Sequence, residues 1–158
     1  MSRNTLIVIA VWFGLAYGLY YLAEGMLHPN KVEVLGEDRT VTLQRGPDGH
    51  YRAEALINGQ SVNVLVDTGA TGVAISQRVA DKLGISSRTA VRTSTANGDS
   101  VAYMTRLRSV RLGGVEAHDV SALIAPGLDG DVLLGMSYLG RMDVRLYRGT
   151  MTIKQLDE

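Results

Sequence analysis

Val62-Asn63-Val64-Leu65-Val66-Asp67-Thr68-Gly69-Ala70-Thr71 joins a hydrophobic strand to a polar, glycine-containing turn. Val62, Val64 and Val66 alternate with Asn63 and Leu65, so three valines share one face of an extended segment. The strand delivers Asp67 straight into the turn. Gly69 is expected to take a conformation closed to other residues and to leave its backbone open to a close neighbour. Peptide N–H groups of such a turn can donate to the carboxylate, and Thr68 adds a hydroxyl that can donate and accept. A carboxylate held rigidly and partly buried at a strand end suits acid or base chemistry. Taken alone, Asp-Thr-Gly is also an ordinary Asx-turn closing a strand.

The flanking sequence is β-rich. Upstream, Tyr51, Ala53, Ala55 and Ile57 fall on one face, and Asn58-Gly59 joins them to the Val62 strand. Both residues of that pair tolerate positive φ, which a two-residue hairpin requires. Further back, Gly46-Pro47-Asp48-Gly49 is a turn, preceded by alternating Val41 and Leu43 from Thr40 onward. Downstream, Ser76 can cap a short helix over residues 77–83, and Gly84 can end it in a left-handed conformation. Residues 88–95 and 100–112 flank Ala96-Asn97-Gly98-Asp99, a second hairpin tip. Gly113-Gly114 turns the chain into residues 115–125, and residues 126–131 form a loop. Val132-Leu133-Leu134 is a short apolar strand ending at Gly135, and residues 142–147 and 150–154 make a last hairpin around Arg148-Gly149. Short strands at hairpin spacing, with 18 glycines, predict an all-β domain folded as a small closed or partly closed barrel.

The N-terminal part differs. Thr5 to Ala23 is a 19-residue stretch without a charge, bounded by Arg3 and Glu24. At roughly 1.5 Å per residue it crosses a hydrocarbon core about 30 Å thick. Tyr20 and Tyr21 near its end suit the membrane interface. A cleaved signal peptide has a shorter apolar region and a small-x-small cleavage site, which Leu22-Ala23-Glu24-Gly25 imitates poorly. The expectation is an uncleaved anchor over residues 5–23, a cytoplasmic stub over 1–4, a tether over 24–40 containing Pro29-Asn30, and one folded domain over 41–158. Arg3 and the α-amino group precede the helix and Lys31 follows at a distance, which favours a cytoplasmic N-terminus and a translocated domain. Ala10, Gly14 and Gly18 share one helix face. Such spacing lets two helices approach closely, and it is also common in membrane helices that do not pair.

Composition excludes several chemistries. Sixteen basic and 16 acidic residues balance, so no charge excess points to nucleic acid. With no cysteine, disulfides, thiol catalysis and cysteine-ligated zinc are ruled out.

Val62 to Val66 followed by Asp-Thr-Gly-Ala-Thr resembles the active-site signature of retropepsin-like aspartic proteases. The second element of that family is two apolar residues and a glycine leading into a short helix. Leu133-Leu134-Gly135 followed by Met136-Ser137-Tyr138-Leu139 matches it. Residues 74–85 look like the bacterial membrane-anchored subgroup. The resemblance covers Tyr51 to about Lys154. It implies a retropepsin-like barrel with one or two short helices behind one transmembrane helix, and an aspartic endopeptidase without metal or organic cofactor. It also implies a bacterial inner-membrane protein with its catalytic domain in the periplasm, acting on periplasmic or membrane proteins.

Aspartic proteases use two carboxylates that share one proton, because like charges about 3 Å apart cannot both form. This sequence carries a single Asp-Thr-Gly, and residues 24–158 are too short for two such lobes. The expectation is therefore a homodimer with Asp67 from each chain. By resemblance, Thr68 locks the two turns across the axis and Gly69 accepts substrate backbone. Ala70 and Thr71 continue the loop. Leu133, Leu134 and Gly135 support the Asp turn from behind. Asn97, Gly98 and Asp99 form a flap over the substrate. The alternative is a membrane-tethered binding or scaffolding module that keeps the fold without proteolysis; the intact Asp67-Thr68-Gly69 weighs against it.

Other constellations are weaker. Gly135-Met136-Ser137-Tyr138-Leu139 approaches a Gly-x-Ser-x-Gly nucleophile elbow, but Leu139 replaces the last glycine, and Ser137 is expected to be a helix residue. His28, His50 and His118 lack metal-site spacing. Asp129 and Asp131 beside Gly130 lack a calcium ligand series and are expected to be solvated loop acids. Arg106, Arg108 and Arg111 are expected to form a solvated strand face.

Overall fold

The computed structural model describes residues 3–27, 39–95 and 98–156, with the side chains of 3, 4, 24–27 and 95 outside the description. The expected tether residues 28–38, including Pro29, Asn30 and Lys31, therefore fall outside it, as does Asn97.

Helix α1 spans Arg3–Leu27, four residues beyond the uncharged stretch. Its Thr5–Ala23 section has a mean hydropathy of 2.0 and no buried part, and it is long and apolar enough to cross a membrane. A side chain added at Gly14 or Gly18 would meet nothing within 4 Å, so that face is open.

Among the described residues ten strands follow: β1 (Thr40–Gln44), β2 (Tyr51–Ile57), β3 (Gln60–Val66), β4 (Val73–Ser76), β5 (Ala90–Thr95), β6 (Gly98–Leu112), β7 (Val115–Ala125), β8 (Val132–Leu134), β9 (Met142–Tyr147) and β10 (Thr150–Gln155). Two short helices interrupt them, α2 (Gln77–Leu83) and α3 (Met136–Leu139). Strands run in the order β2-β3-β8-β4-β7-β6-β5, and β6 also pairs with β2. That pairing closes six strands into a barrel and leaves β5 outside the ring. The seam is short, with Leu56 opposite Arg111 and Ile57 opposite Val110. A separate sheet, β1-β10-β9, packs its Val41, Leu43, Met151 and Ile153 into the same core.

Local chemistry accounts for most of these elements. Asn58 and Gly59 both take positive φ, 52° and 85°, and set the β2–β3 register. Ala53 then faces inward opposite Val64 and Ala55 opposite Val62, with Ile57 and Val66 buried beside them, so the alternation in sequence becomes the barrel wall. Ser76 Oγ accepts the Val79 N–H, and Gly84 at φ 65° ends α2, as its sequence predicts. Tyr138 is fully buried, its hydroxyl donating to the Val115 carbonyl at 3.1 Å; burial pushes its phenol well above the ordinary range.

Three details depart from the sequence reading. Strand β4 was not anticipated. Asp99 is not a tip residue: it pairs with Ser94 inside the β5–β6 ladder. Asp131 is not a freely solvated acid. Its side chain is 17% exposed and pairs with Arg78, and its carbonyl accepts the Ser76 N–H, so it ties the start of α2 to the β8 loop. The arginines of β6 do face solvent, with Arg106 paired to Asp119 and Arg111 to Glu116.

Candidate active site

Parallel pairing of β3 with β8 sets Val64, Leu65 and Val66 beside Val132, Leu133 and Leu134. The two strands end together, so Asp67 and Gly135 emerge side by side. The Asp67 N–H extends the ladder by donating to the Leu134 carbonyl at 3.0 Å. The Ala70 N–H then donates to the Asp67 carbonyl at 3.3 Å and closes the turn. The Gly69 N–H donates to Asp67 Oδ1 at 2.8 Å, a charge-assisted bond that fixes the carboxylate on its backbone. Asp67 is half-buried, whereas Thr68 and Gly69 are exposed.

Gly69 is required for a different reason from the one its sequence suggests. It is not among the glycines with positive φ. Instead, a Cβ at this position would stand 3.2 Å from Asp67 Oδ1. Gly69→Ala is therefore expected to displace the carboxylate by a few tenths of an ångström. The fold should survive with less than about 1 kcal/mol of change, because the site is exposed. Turnover should fall about tenfold, since small misplacements of a reacting group are expensive. Thermal unfolding measured beside kcat checks this.

The second element holds the first from behind. Leu134 and Gly135 are buried and Leu133 is half-buried. A Cβ on Gly135 would lie 2.6 Å from the Ala70 carbonyl oxygen and closer still to that of Gly72. The Met136 N–H donates to the Ala70 carbonyl at 2.8 Å. Strand β4 leaves the loop at Val73 and runs between β7 and β8. The structure thus brings together Asp67, Thr68, Gly69, Ala70, Leu133, Leu134 and Gly135. Thr71 is exposed in the same loop.

Among the described residues strand β5 pairs only with β6, so the β5–β6 hairpin projects from the edge of the barrel. Gly98 has φ 103° and pairs with Thr95.

Two features escaped the sequence reading. Ser137 Oγ accepts the Val73 N–H at 2.9 Å and donates to the Ser121 carbonyl at 2.9 Å. Nothing in a lone serine signals this. Second, Tyr51 pairs with Val66, which sets the turn between β1 and β2 at the Asp67 end of the barrel. There Asp48 accepts the His50 N–H and binds Arg52 at 2.7 Å. The Arg52 guanidinium and then the His50 N–H hold that carboxyl below the usual range. The pairing register of β2 could have located this turn. Among the described residues no cluster of three or more His, Asp or Glu assembles a metal site.

Comparison with known proteins identifies the arrangement. The family described as "gag-polyprotein putative aspartyl protease" matches residues 53–141. An uncharacterized Sinorhizobium protein from the cobV 5' region is 32% identical over 108 residues, 66% of this chain and 46% of that protein. An uncharacterized Rickettsia prowazekii protein is 34% identical over 104 residues, 64% of this chain and 45% of that protein. The chain thus spans about half the length of both relatives. Among solved structures, a retropepsin-like aspartic protease from Rickettsia conorii superposes with a TM-score of 0.66 at 29% identity, covering 73% of this chain and 90% of that one. The protease of EIAV in complex with the inhibitor HBY-793 shares the fold at 21% identity and a TM-score of 0.50, covering 60% and 88%.

Proposed function

The chain belongs to the retropepsin-like aspartic protease family, and from that premise we propose that it is an aspartic endopeptidase active as a homodimer, with Asp67 of each copy as half of the catalytic site. The observation that carries this is one Asp-Thr-Gly turn per chain. Its carboxylate is bonded by its own loop, and its next two residues are exposed beside it. In the dimer the two Asp67 carboxylates share one proton. The ionised one takes a proton from water, and the protonated one donates to the carbonyl oxygen of the scissile peptide.

The remaining roles belong to the same proposal. Thr68 is exposed and its hydroxyl has no partner among the described residues, which fits a bond across the two-fold axis. Gly69, without a side chain, gives substrate backbone access to the carboxylates. Ala70 and Thr71 continue the substrate-facing loop, and Leu133, Leu134 and Gly135 set its position. The β5–β6 hairpin, with Asn97, Gly98 and Asp99 at or near its tip, covers the substrate and excludes water. The substrate is an extended segment held like an added strand.

Residues 5–23 anchor the enzyme in the inner membrane and residues 41–158 form its periplasmic catalytic domain, acting on periplasmic or membrane proteins. Arg3 on the N-terminal side of the span supports this orientation. Confinement to one membrane raises the effective concentration of the partner copy, and the open Gly14 and Gly18 face offers a contact.

Full-length protein incubated with a mixed peptide library is expected to cleave it, faster on the acid side of neutrality because the pair must keep one proton. A statine-type transition-state mimic is expected to block cleavage. Library turnover that ignores the mimic would remove the aspartic mechanism.

A further inference from the structure

Ser137 is the one residue whose side chain, among the described residues, bonds the backbone of segment 67–73 from outside that segment. We infer that Ser137 is a positioning residue for the Asp67 loop, its hydroxyl fixing the loop's exit into β4. This rests on Asp67 being the catalytic carboxylate. The segment Ala70 to Val73 is clamped at both ends by consecutive residues of α3. The Met136 N–H takes the Ala70 carbonyl at 2.8 Å, and Ser137 Oγ takes the Val73 N–H at 2.9 Å. The hydroxyl's own proton goes to the Ser121 carbonyl in β7 at 2.9 Å. Ser121 is the residue before Ala122, and Ala122 opens the β4–β7 ladder opposite Val73. Ser137 therefore relays between a donor on one parallel strand and an acceptor on the next, where the ladder begins.

The chemistry suits a hydroxyl. The site presents one N–H and one carbonyl, and only a group that accepts and donates at once satisfies both. Alanine leaves the N–H of the buried Val73 and a carbonyl unpaired at the foot of the catalytic turn. The same two bonds exclude Ser137 as a nucleophile, because its single proton is committed to a backbone carbonyl and no histidine or carboxylate accepts it. Gly135 and Ser137 thus divide the support. Gly135 permits the loop to lie against β8, and Ser137 fixes where the loop ends. Asp67 is joined to that end by the five residues 68–72 and by the Ala70 contact to Met136, so loosening Val73 loosens the carboxylate's frame.

The test uses full-length protein carrying Ser137→Ala, Ser137→Thr or Ser121→Ala. Ser137→Ala is expected to lower kcat about tenfold with KM within about twofold, since the loss is in orientation. Ser137→Thr keeps the hydroxyl and is expected to restore kcat to within about threefold. Ser121→Ala changes only an exposed side chain while its carbonyl remains, and is expected to match wild type. Amide hydrogen exchange at Val73 gives a readout independent of catalysis: it should speed about tenfold or more in Ser137→Ala and not in Ser137→Thr. Wild-type kcat in Ser137→Ala, a kcat loss with no rescue by threonine, or an unchanged Val73 amide would each overturn the inference. Inactivity of the wild type, or full activity of Asp67→Asn, would instead remove the protease reading. The exchange data would then still decide whether Ser137 holds the loop.

Discussion

Asp67→Asn is expected to lower peptide-bond cleavage by about 10³-fold or more while leaving the folded structure unchanged. Asparagine has nearly the same shape and keeps an oxygen that accepts the Gly69 N–H, now seen at 2.8 Å. What it removes is the acidic proton and the negative charge. An amide cannot draw a proton from water, nor donate one to a carbonyl and return as a base. The side chain is half-buried at a loop, so the stability change should stay within about 1 kcal/mol. Turnover and thermal unfolding of the same preparation separate the two effects. Activity near wild type would remove Asp67 from the reaction, whereas joint loss of activity and fold would make it a structural turn residue.

Gly135→Ala is expected to act on the fold. Its added carbon would approach the Ala70 carbonyl oxygen to 2.6 Å, a separation real Cβ atoms do not show, with Gly72 nearer still. Both neighbours are backbone, so no side chain can swing away. Either the turn separates from β8, losing the Asp67 and Met136 hydrogen bonds to it, or the strands part. The cost is about 3 kcal/mol or more, a large share of a small domain's stability of about 5–15 kcal/mol. The midpoint of thermal unfolding should drop by about 10 °C or more. Gly127→Ala is the control. It has open space around it and no positive φ, and is expected to leave the midpoint within about 2 °C. Equal midpoints in the two variants would show that the loop does not press on β8 as described.

Much of the fold was legible in the sequence because its signals are local. Asn58-Gly59 sets a hairpin register by its own dihedral preferences, and Ser76 and Gly84 bracket α2 by capping. Alternation at residues 53–57 and 62–66 assigns the inner face. What was not legible depends on partners distant in the chain. Strand β4 has four residues, three of them consecutive apolar positions, and only its neighbours β7 and β8 make it a strand. Barrel closure hangs on two residue pairs between β2 and β6, which no periodicity announces. The site divides in the same way. Asp67, Gly69 and Leu133-Leu134-Gly135 form a pattern along the chain, and the structure sets them together. Gly69 is constrained by the carboxylate rather than by its φ, and Ser137 acts through a donor 64 residues away. Both require three-dimensional information.

The most direct measurement concerns the missing half of the site. Wild-type and Asp67→Asn chains bearing different tags are mixed in detergent, and the mixed dimers are isolated through both tags. Random pairing of equal amounts gives about one quarter wild-type dimers, and mixed dimers are about half of the total. If each chain contributes one carboxylate to a single site, the isolated mixed dimer should retain less than about 1% of wild-type turnover. Adding excess Asp67→Asn should then suppress a fixed amount of wild-type chain. A mixed dimer with half the wild-type activity, or a strict monomer that cleaves at full rate, would contradict a catalytic site shared between two copies.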